Sequence, residues 1–420
     1  MRAMAEEATY RIVRACRVCG SSGLDVFLSF GSTPLANAFV HPERATEIER
    51  RYPLETMRCE RCGLVQLTVV VRPEVMFTNY LYESSASDPM VAHFAAYADE
   101  VVSRFVPHGS LVVEIGSNDG VLLAPLAARG ARVVGVEPAT NLARVANSAG
   151  YETWNEFFDA DVARRIAAVH GKAKAVLGNN VLAHIDDLAG SLAGLDELLD
   201  DDGVFVFEVP YLLDLLESVE YDTIYHEHLS YFHLAPLRKL FEGIGMEFFD
   251  MRRLPIHGGS IRVFACRAGQ RERSREAGRT LSRESAARLD LNATYVGFTE
   301  RVAASRAALR QMLASFKTEG RRIAGVGATA KGNTLLNFCE IGADTLDFIA
   351  DSTPRKVGML TPGMHIPIRD EGSISRIRPD YTLLLAWNFA DAIVRKHSGY
   401  LAAGGRFIHP IPLARLYPSA

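Results

Sequence analysis

From about residue 88 onward the hydrophobic pattern alternates between two textures. "MVAHFAAYADEVVSRFV" places apolar residues at helical spacing. "SLVVEIGSNDG", "ARVVGVEPA", "AKAVLGNN" and "GVFVFEVP" are instead short apolar runs ending in glycine or polar residues. Helical segments such as "VLLAPLAARG" and "LARVANSAG" separate them, and this alternation predicts a parallel sheet with helices on both faces. Residues 270–318 are rich in Arg, Glu and Ala. Phe298, Val302, Leu309, Met312, Leu313 and Phe316 form a stripe there, which reads as one or two connecting helices with a solvated charged face. A second α/β texture follows in "RRIAGVGATAKGNTLL", "LDFIADSTPRK", "DYTLLLAWN" and "RFIHPIP". The first 75 residues have little helical periodicity, and "FGSTPLANAFVHPE" reads as loop. The expectation is three domains: a small N-terminal one over residues 1–85, an α/β one over 86–267 and a second Rossmann-like one over 268–420.

Composition narrows the classes. A chain of 420 residues is too long for one core. Its 48% hydrophobic and 23% charged residues are those of an ordinary soluble protein. A net charge of −4 provides no broad basic field for nucleic acid or an anionic membrane. No apolar run approaches the roughly 18 residues of a membrane span. The opening "MRAMAEEATYRIVRAC" lacks the apolar block of a secretion signal, so a cytoplasmic chain with a small-molecule substrate is expected. Oligomeric state is left open.

Four of the six cysteines form two C-x-x-C pairs, Cys16/Cys19 and Cys59/Cys62, each followed by a glycine that lets a tight knuckle turn the thiolates to one point. In a cytosolic chain this usage favours metal over disulfides. Four thiolates in a closed tetrahedron suit structural zinc, with free thiols or an iron–sulfur site as the alternatives.

The first glycine-rich turn, "VVEIGSNDG", sets Glu114 at a strand end, then Gly116, Ser117, Asn118, Asp119 and Gly120 around the turn into a helix. A dinucleotide site would be G-x-G-x-x-G, with pyrophosphate on the helix amides. The spacing here is E-x-G-x-x-x-G. Its acidic lining is wrong for a diphosphate and right for the sulfonium and amino group of S-adenosylmethionine. Glu137, followed by Pro138, ends the next strand, placed to accept both ribose hydroxyls. Asn155 and Phe157 follow the third strand, where an adenine needs one polar edge and an apolar face. Asn179, Asn180 and His184 end the fourth, over the methionine end. Ligands of open α/β sheets bind at these carboxyl ends, so the middle domain reads as a class I S-adenosylmethionine-dependent methyltransferase.

"TIYHEHLSYFH", residues 223–233, concentrates three of the twelve histidines. A metal site there is unconvincing, because H-x-H-x-x-x-x-H has no open-site partner. If the segment is a helical turn, Tyr225 and His228 share a face and His226 points elsewhere. Glu227 could orient an imidazole or bind a polar substituent such as an amino group.

Taken together, the double C-x-x-C, "MFTNYLYESS", "VVEIGSNDG", "NNVLAHIDD", "YHEHLSYF", "HGGSIRVF" and "GATAKGNTLLNF" resemble the nucleotide-sugar C-methyltransferases of deoxysugar and antibiotic pathways, and the likeness spans nearly the whole chain. Within that family it looks most like the branch methylating C3 of an amino-deoxysugar on the D-tetronitrose route. The resemblance implies a thymidine-diphosphate-linked 4-keto sugar, methylated on a carbon next to the ketone. It further implies His228 as the base, Tyr225 and Glu227 beside the sugar, His184 and Tyr80 near the sugar or its ketone oxygen, and Tyr82 as a substrate contact. His226 and His233 read as framework.

"GVGATAKG" fits G-x-G-x-x-A after a strand, with Asp351 ending the next one. Alone, that suggests a nicotinamide dinucleotide, so an oxidoreductase of nucleotide sugars is the alternative reading. With the methyl donor already accommodated, the lobe reads as cofactor-free and closing over the nucleotide sugar. Lys331 would face the diphosphate, and Asn333 and Thr334 would add donors at the helix N-terminus. His257, Ser260 and Arg262 are candidates for the inter-domain cleft, or simply turn and strand.

Overall fold

The computed structural model describes residues 9–77 and 84–418. The N-terminal part is built on a four-stranded antiparallel sheet in the order Ser230–Tyr231, Val65–Leu67, Tyr52–Cys59, Leu24–Thr33. Its first strand comes from the histidine-rich segment, with Ser230 opposite Gln66 and Tyr231 opposite Val65. Sequence texture alone could not show this, since a two-residue strand has no periodicity to detect.

The middle sheet has seven strands, in the spatial order Met246–Leu254, Ser260–Arg267, Leu199–Pro210, Ala173–Asn179, Leu111–Ile115, Arg132–Val136, Thr153–Trp154. Five are parallel. Ser260–Arg267 runs antiparallel between Leu199–Pro210 and Met246–Leu254. This is the class I methyltransferase order. All five residues of Leu111–Ile115 are buried because helices cover both faces, so the strand reads as an unbroken apolar run rather than an alternating one. One of those helices is Asp88–Phe105, which buries Met90, Phe94, Tyr97, Ala98 and Val101.

Helices Arg275–Ala286 and Asn292–Thr318 connect to a six-stranded sheet ordered Ile368–Asp370, Ile349–Asp351, Ile323–Val326, Tyr381–Leu384, Arg406–His409, Arg415–Tyr417. It is parallel except for the last strand. Both α/β sheets therefore have a topological switch point, at Leu111–Ile115/Ala173–Asn179 in one and Ile323–Val326/Tyr381–Leu384 in the other. Crevices open at the carboxyl ends of strands where the order reverses. Here the two crevices open into one cavity.

Of the two readings open for Arg262 and Ser260, cleft or strand, the structure shows the strand: both lie in Ser260–Arg267 of the middle sheet. The Arg262 guanidinium lies among Glu208, Glu100 and the Tyr97 ring, 2.6 Å from a Glu208 oxygen and 3.7 Å from the ring centre. Ser260 Oγ donates to the Ile256 carbonyl. A strand-interior arginine among carboxylates is a core ion pair, and the "HGGSIRVF" motif carried no cue to separate that from a ligand contact. Breaking such a pair from one side leaves a buried charge without its partner. Arg262→Met is therefore expected to cost about 3 kcal/mol of stability by chemical denaturation, while the affinity for S-adenosylhomocysteine stays within twofold of wild type.

Candidate active site

The two C-x-x-C knuckles are built alike. The Cys16 N–H donates to the Ser21 carbonyl and the Gly20 N–H to the Cys16 carbonyl. In the second, the Cys59 N–H donates to Leu64 and the Gly63 N–H to Cys59. Gly20 and Gly63 adopt φ of +68° and +81°, which only glycine takes without strain. Cys16 and Cys62 sulfurs lie 3.5 Å apart, as do those of Cys19 and Cys59, and all four lie within 4.8 Å of one another. Zinc–sulfur bonds of about 2.3 Å place tetrahedral thiolates at about this spacing. No other group of three or more potential ligands is found among the described residues. Arg17, inside the first knuckle, donates to the Leu229 carbonyl at 3.0 Å and to Asp186 at 3.2 Å, so the metal knuckle also grips the histidine-rich segment.

The cavity between the two switch points has a volume of about 870 Å³. On the methyltransferase side Glu114, Gly116, Ser117, Asn118, Glu137, Pro138, Phe157, Asn179 and Asn180 line it. Burial pushes the Glu114 carboxyl well above the usual range, and one of its oxygens has no hydrogen-bond partner among the described residues. The other accepts from Asn179 Nδ2 at 3.2 Å, while Asn179 Oδ1 is likewise orphaned. Orphaned buried acceptors of this kind fit a ligand that brings N–H donors and positive charge. Glu137 accepts the Asn118 N–H at 2.9 Å and the Ala139 N–H at 2.8 Å, which fixes its carboxylate with lone pairs left for ribose hydroxyls. The donor set thus fits S-adenosylmethionine.

Three expected donor contacts are placed elsewhere. Asp119 Oδ2 accepts the Ser85 N–H, while Asn118 Oδ1 accepts that of Ser84, so the acidic turn anchors the segment that follows the two motif tyrosines. Gly120 packs under Ala146 and Tyr151 with φ +86°. Asn155 Nδ2 bonds the carbonyls of Glu137 and Pro138 at 2.9 Å, and the side chain braces the ribose strand end from behind. These side chains hold the turn rather than line the cavity. Tyr80 and Tyr82 lie outside the described residues.

Tyr225, His228, His184 and His257 line the cavity together. The segment is a turn, closed by the His228 N–H on the Tyr225 carbonyl. His228 Nδ1 lies 3.0 Å from the Thr223 carbonyl, which can only accept, so Nδ1 carries the hydrogen. Nε2 is therefore the bare nitrogen, 2.8 Å from the Tyr225 hydroxyl, and the His184 ring stands perpendicular with centroids 5.1 Å apart. Burial foremost, then the neighbouring His184, pushes the His228 pKa well below its ordinary value. The imidazole is neutral at pH 7 and can take a proton at Nε2. His226 bonds the Pro53 carbonyl, and His233 packs on the Gly63 knuckle, so both are framework as expected.

Glu227 does not line the cavity. It is buried and accepts from Asn37 Nδ2 at 2.7 Å, and Asn37 lines the cavity in its place. The sequence offered no signal for Asn37, since "STPLANAF" reads only as loop. In the last domain Lys331 lines the cavity, but its ammonium donates to the His257 carbonyl and sits 4.0 Å from Glu220. Asn333 bonds the Ala36 carbonyl of the N-terminal loop, and Thr334 is buried in the same helix; neither lines the cavity. Asp351 accepts the Ala328 and Thr353 N–H groups, and Lys356 donates to the Ala328 carbonyl beside it. A cation thus stands next to the acid a nicotinamide dinucleotide would use. Lys356 carried no recognisable motif in the sequence.

Family models match the chain in three stretches: a zinc binding domain over residues 16–77, a methyltransferase domain over 90–249, and a C-methyltransferase C-terminal domain over 255–412. The C-methyltransferase NovU from Streptomyces niveus is 42% identical over 409 residues, covering 97% of each chain. The chain belongs to the C-methyltransferases. It is an S-adenosylmethionine-dependent enzyme with a structural zinc domain. Among solved structures, the magnesium protoporphyrin IX methyltransferase of Synechocystis is 20% identical, covering 43% of this chain and 82% of that one at a TM-score of 0.32. The CcbJ methyltransferase from Streptomyces caelestis is 14% identical over 42% and 90%, at 0.33. No helix among the described residues is long and apolar enough to cross a membrane.

Two outcomes follow from these side chains. Glu137→Ala is expected to weaken S-adenosylhomocysteine binding about 10- to 100-fold by calorimetry, the effect of losing charge-assisted hydrogen bonds, and NADH is expected to give no thermal shift. Burial also holds His184, His226 and His257 at about 4 and His233 at about 3. The unfolded chain binds these protons near 6.5 and the folded one does not. Their stabilising contribution is complete above about pH 6.5 and is lost as pH falls toward 4. Urea midpoints should decline through that window. A flat profile would mean the histidines titrate normally.

Proposed function

We propose that the protein methylates the carbon next to the ketone of a thymidine-diphosphate-linked 4-keto-deoxysugar, at C3 of a 3-amino sugar, in deoxysugar or antibiotic biosynthesis. The observation that carries this reading is the His228 tautomer: a buried, unprotonated Nε2, hydrogen-bonded to the Tyr225 hydroxyl, on a residue lining the cavity that the donor site and the C-terminal lobe share.

A ring carbon is a poor nucleophile until its C–H is deprotonated. In this reading His228 Nε2 removes that proton, and the electron pair passes to the ketone oxygen as an enolate. The Tyr225 hydroxyl, which donates to Nε2 before the substrate binds, turns to the ketone oxygen as Nε2 takes the proton, and His184 stands beside it. S-adenosylmethionine, when bound, supplies the electrophilic methyl group. The new bond forms to the former C–H carbon as the methyl–sulfur bond breaks, so no metal is needed and the residues' task is alignment. Asn37, backed by Glu227, is positioned for a polar substituent next to the reacting carbon. The nucleotide falls to the second switch point, where Thr329, Thr353 and Lys356 line the cavity with Lys396. The resemblance to nucleotide-sugar enzymes and the breadth of the cavity support this assignment.

The test is incubation with labelled donor and a thymidine-diphosphate 4-keto-6-deoxyhexose, with and without a 3-amino group, in deuterated water. Solvent exchange and methylation are expected at C3 of the amino sugar, and exchange at C5 instead would move the reaction across the ring. His228→Asn should lower kcat by about 10²–10⁴, the usual range for a lost general base. Full activity in that variant would remove His228 from the role.

A further inference from the structure

The residues just before the base are held by the C-terminal lobe. Tyr221–Thr223 form one turn of 3-10 helix, almost wholly buried. Glu220 lies 4.0 Å from the Lys331 ammonium. The Tyr221 ring packs edge-on against Phe338 at 5.4 Å, with its hydroxyl 3.5 Å from Cys339 Sγ. Asp222 Oδ2 accepts the Trp387 indole N–H at 2.6 Å, and Lys331 stands over that indole, 4.8 Å from the ring centre. Three successive residues thus each have a partner from the last domain. The fourth, Thr223, directs its carbonyl to His228 Nδ1. Neither Trp387 nor Asp222 lines the cavity.

We propose that Trp387 and Asp222 are positioning residues: the C-terminal lobe sets the tautomer of His228 through the indole–carboxylate bond and the Thr223 carbonyl. An imidazole with its hydrogen on Nε2 has no lone pair there and cannot act on the cavity side. The Thr223 carbonyl excludes that tautomer by accepting from Nδ1. The carbonyl points where it does because the indole N–H pins the preceding carboxylate. Lys331 contacts the same indole and lines the cavity, so ligand in the C-terminal lobe is read out at the base through two neighbouring side chains.

The catalytic consequence rests on His228 being the base, whereas the wiring itself is measurable without substrate. Nitrogen NMR of the zinc-loaded full chain, labelled with ¹⁵N-histidine and assigned by comparison with His228→Asn, reports which ring nitrogen of His228 is protonated. The wild type is expected to show Nδ1–H. Trp387→Phe, which keeps the aromatic ring for Lys331 but removes the donor, and Asp222→Ala should each shift His228 toward Nε2–H by about tenfold, as expected for one lost hydrogen bond. Asp222→Asn, whose amide oxygen still accepts from the indole, should restore most of the Nδ1–H population. With a thymidine-diphosphate 4-keto-6-deoxyhexose as probe, kcat of the first two variants should fall about tenfold while KM for S-adenosylmethionine is unchanged. Wild-type protein carrying Nε2–H would overturn the proposal outright. So would wild-type nitrogen shifts in a folded Trp387→Phe or Asp222→Ala protein. A shifted tautomer with undiminished methylation would uphold the wiring and overturn the assignment of His228 as base.

Discussion

The site depends on one hydrogen bond, from His228 Nδ1 to the Thr223 carbonyl. A buried imidazole is neutral for the general reason that desolvation penalises its charged form. Neutrality alone leaves two tautomers, only one of which presents a lone pair to the cavity. A backbone carbonyl five residues upstream selects that one without adding charge. A carboxylate in its place would also select it, but would raise the pKa and favour the imidazolium. The surroundings of this bond then follow a common requirement, which is to keep residues 220–231 from moving. Every domain contributes: Arg17 and Pro53 from the zinc domain, Ala183 from the methyltransferase sheet through the Leu229 N–H, and Trp387 and Lys331 from the C-terminal lobe.

The two α/β sheets make different use of similar turns. Glu137 and Asp351 each accept two backbone N–H groups from the glycine turn and the residues after the strand. In the methyltransferase sheet the buried Glu114 carboxyl stands beside that carboxylate, with one oxygen unbonded among the described residues, and a cationic ligand would favour its ionised form. In the C-terminal sheet the additional group is Lys356, whose ammonium lies on the turn's own carbonyl. Reversing the sign of one buried neighbour changes what the same backbone geometry can hold. The glycine pattern by itself therefore indicates a turn, and the charges beside it decide the ligand.

This explains how much of the molecule was legible in the chain. The strand ends of the donor site were, because acid and glycine occur at fixed places after continuous apolar runs. The four cysteines were, because their spacing is a metal's geometry written locally. Asn37, Lys356 and Trp387 were not, because each acts across domains on a partner distant in the chain, and no local pattern encodes such a pairing. Arg262 and Ser260 were open between cleft and strand, and their side chains bond within the middle domain, while Asn333 bonds the Ala36 carbonyl. Glu227 was expected beside the substrate, and it lies behind Asn37 without lining the cavity. Its carboxylate accepts from the Asn37 amide, which lines the cavity, a relationship no spacing rule could supply.

The zinc domain and the segment that carries His228 stabilise each other, which links the structural metal site to the cavity wall. A four-stranded sheet this small has too little core to persist alone, and such domains rely on metals or partners. One of its edge strands, Ser230–Tyr231, begins two residues after His228, so the sheet is complete only when the catalytic segment is in place. Conversely, the segment's backbone is satisfied by that sheet and by Arg17, whose position is fixed between two metal-binding cysteines. Because edge pairing specifies register to a single residue, the metal-held sheet limits how far His228 can slide along the cavity wall. The closed thiolate site does not line the cavity, yet the sheet it holds fixes one end of the segment that carries His228, while the C-terminal lobe holds the other.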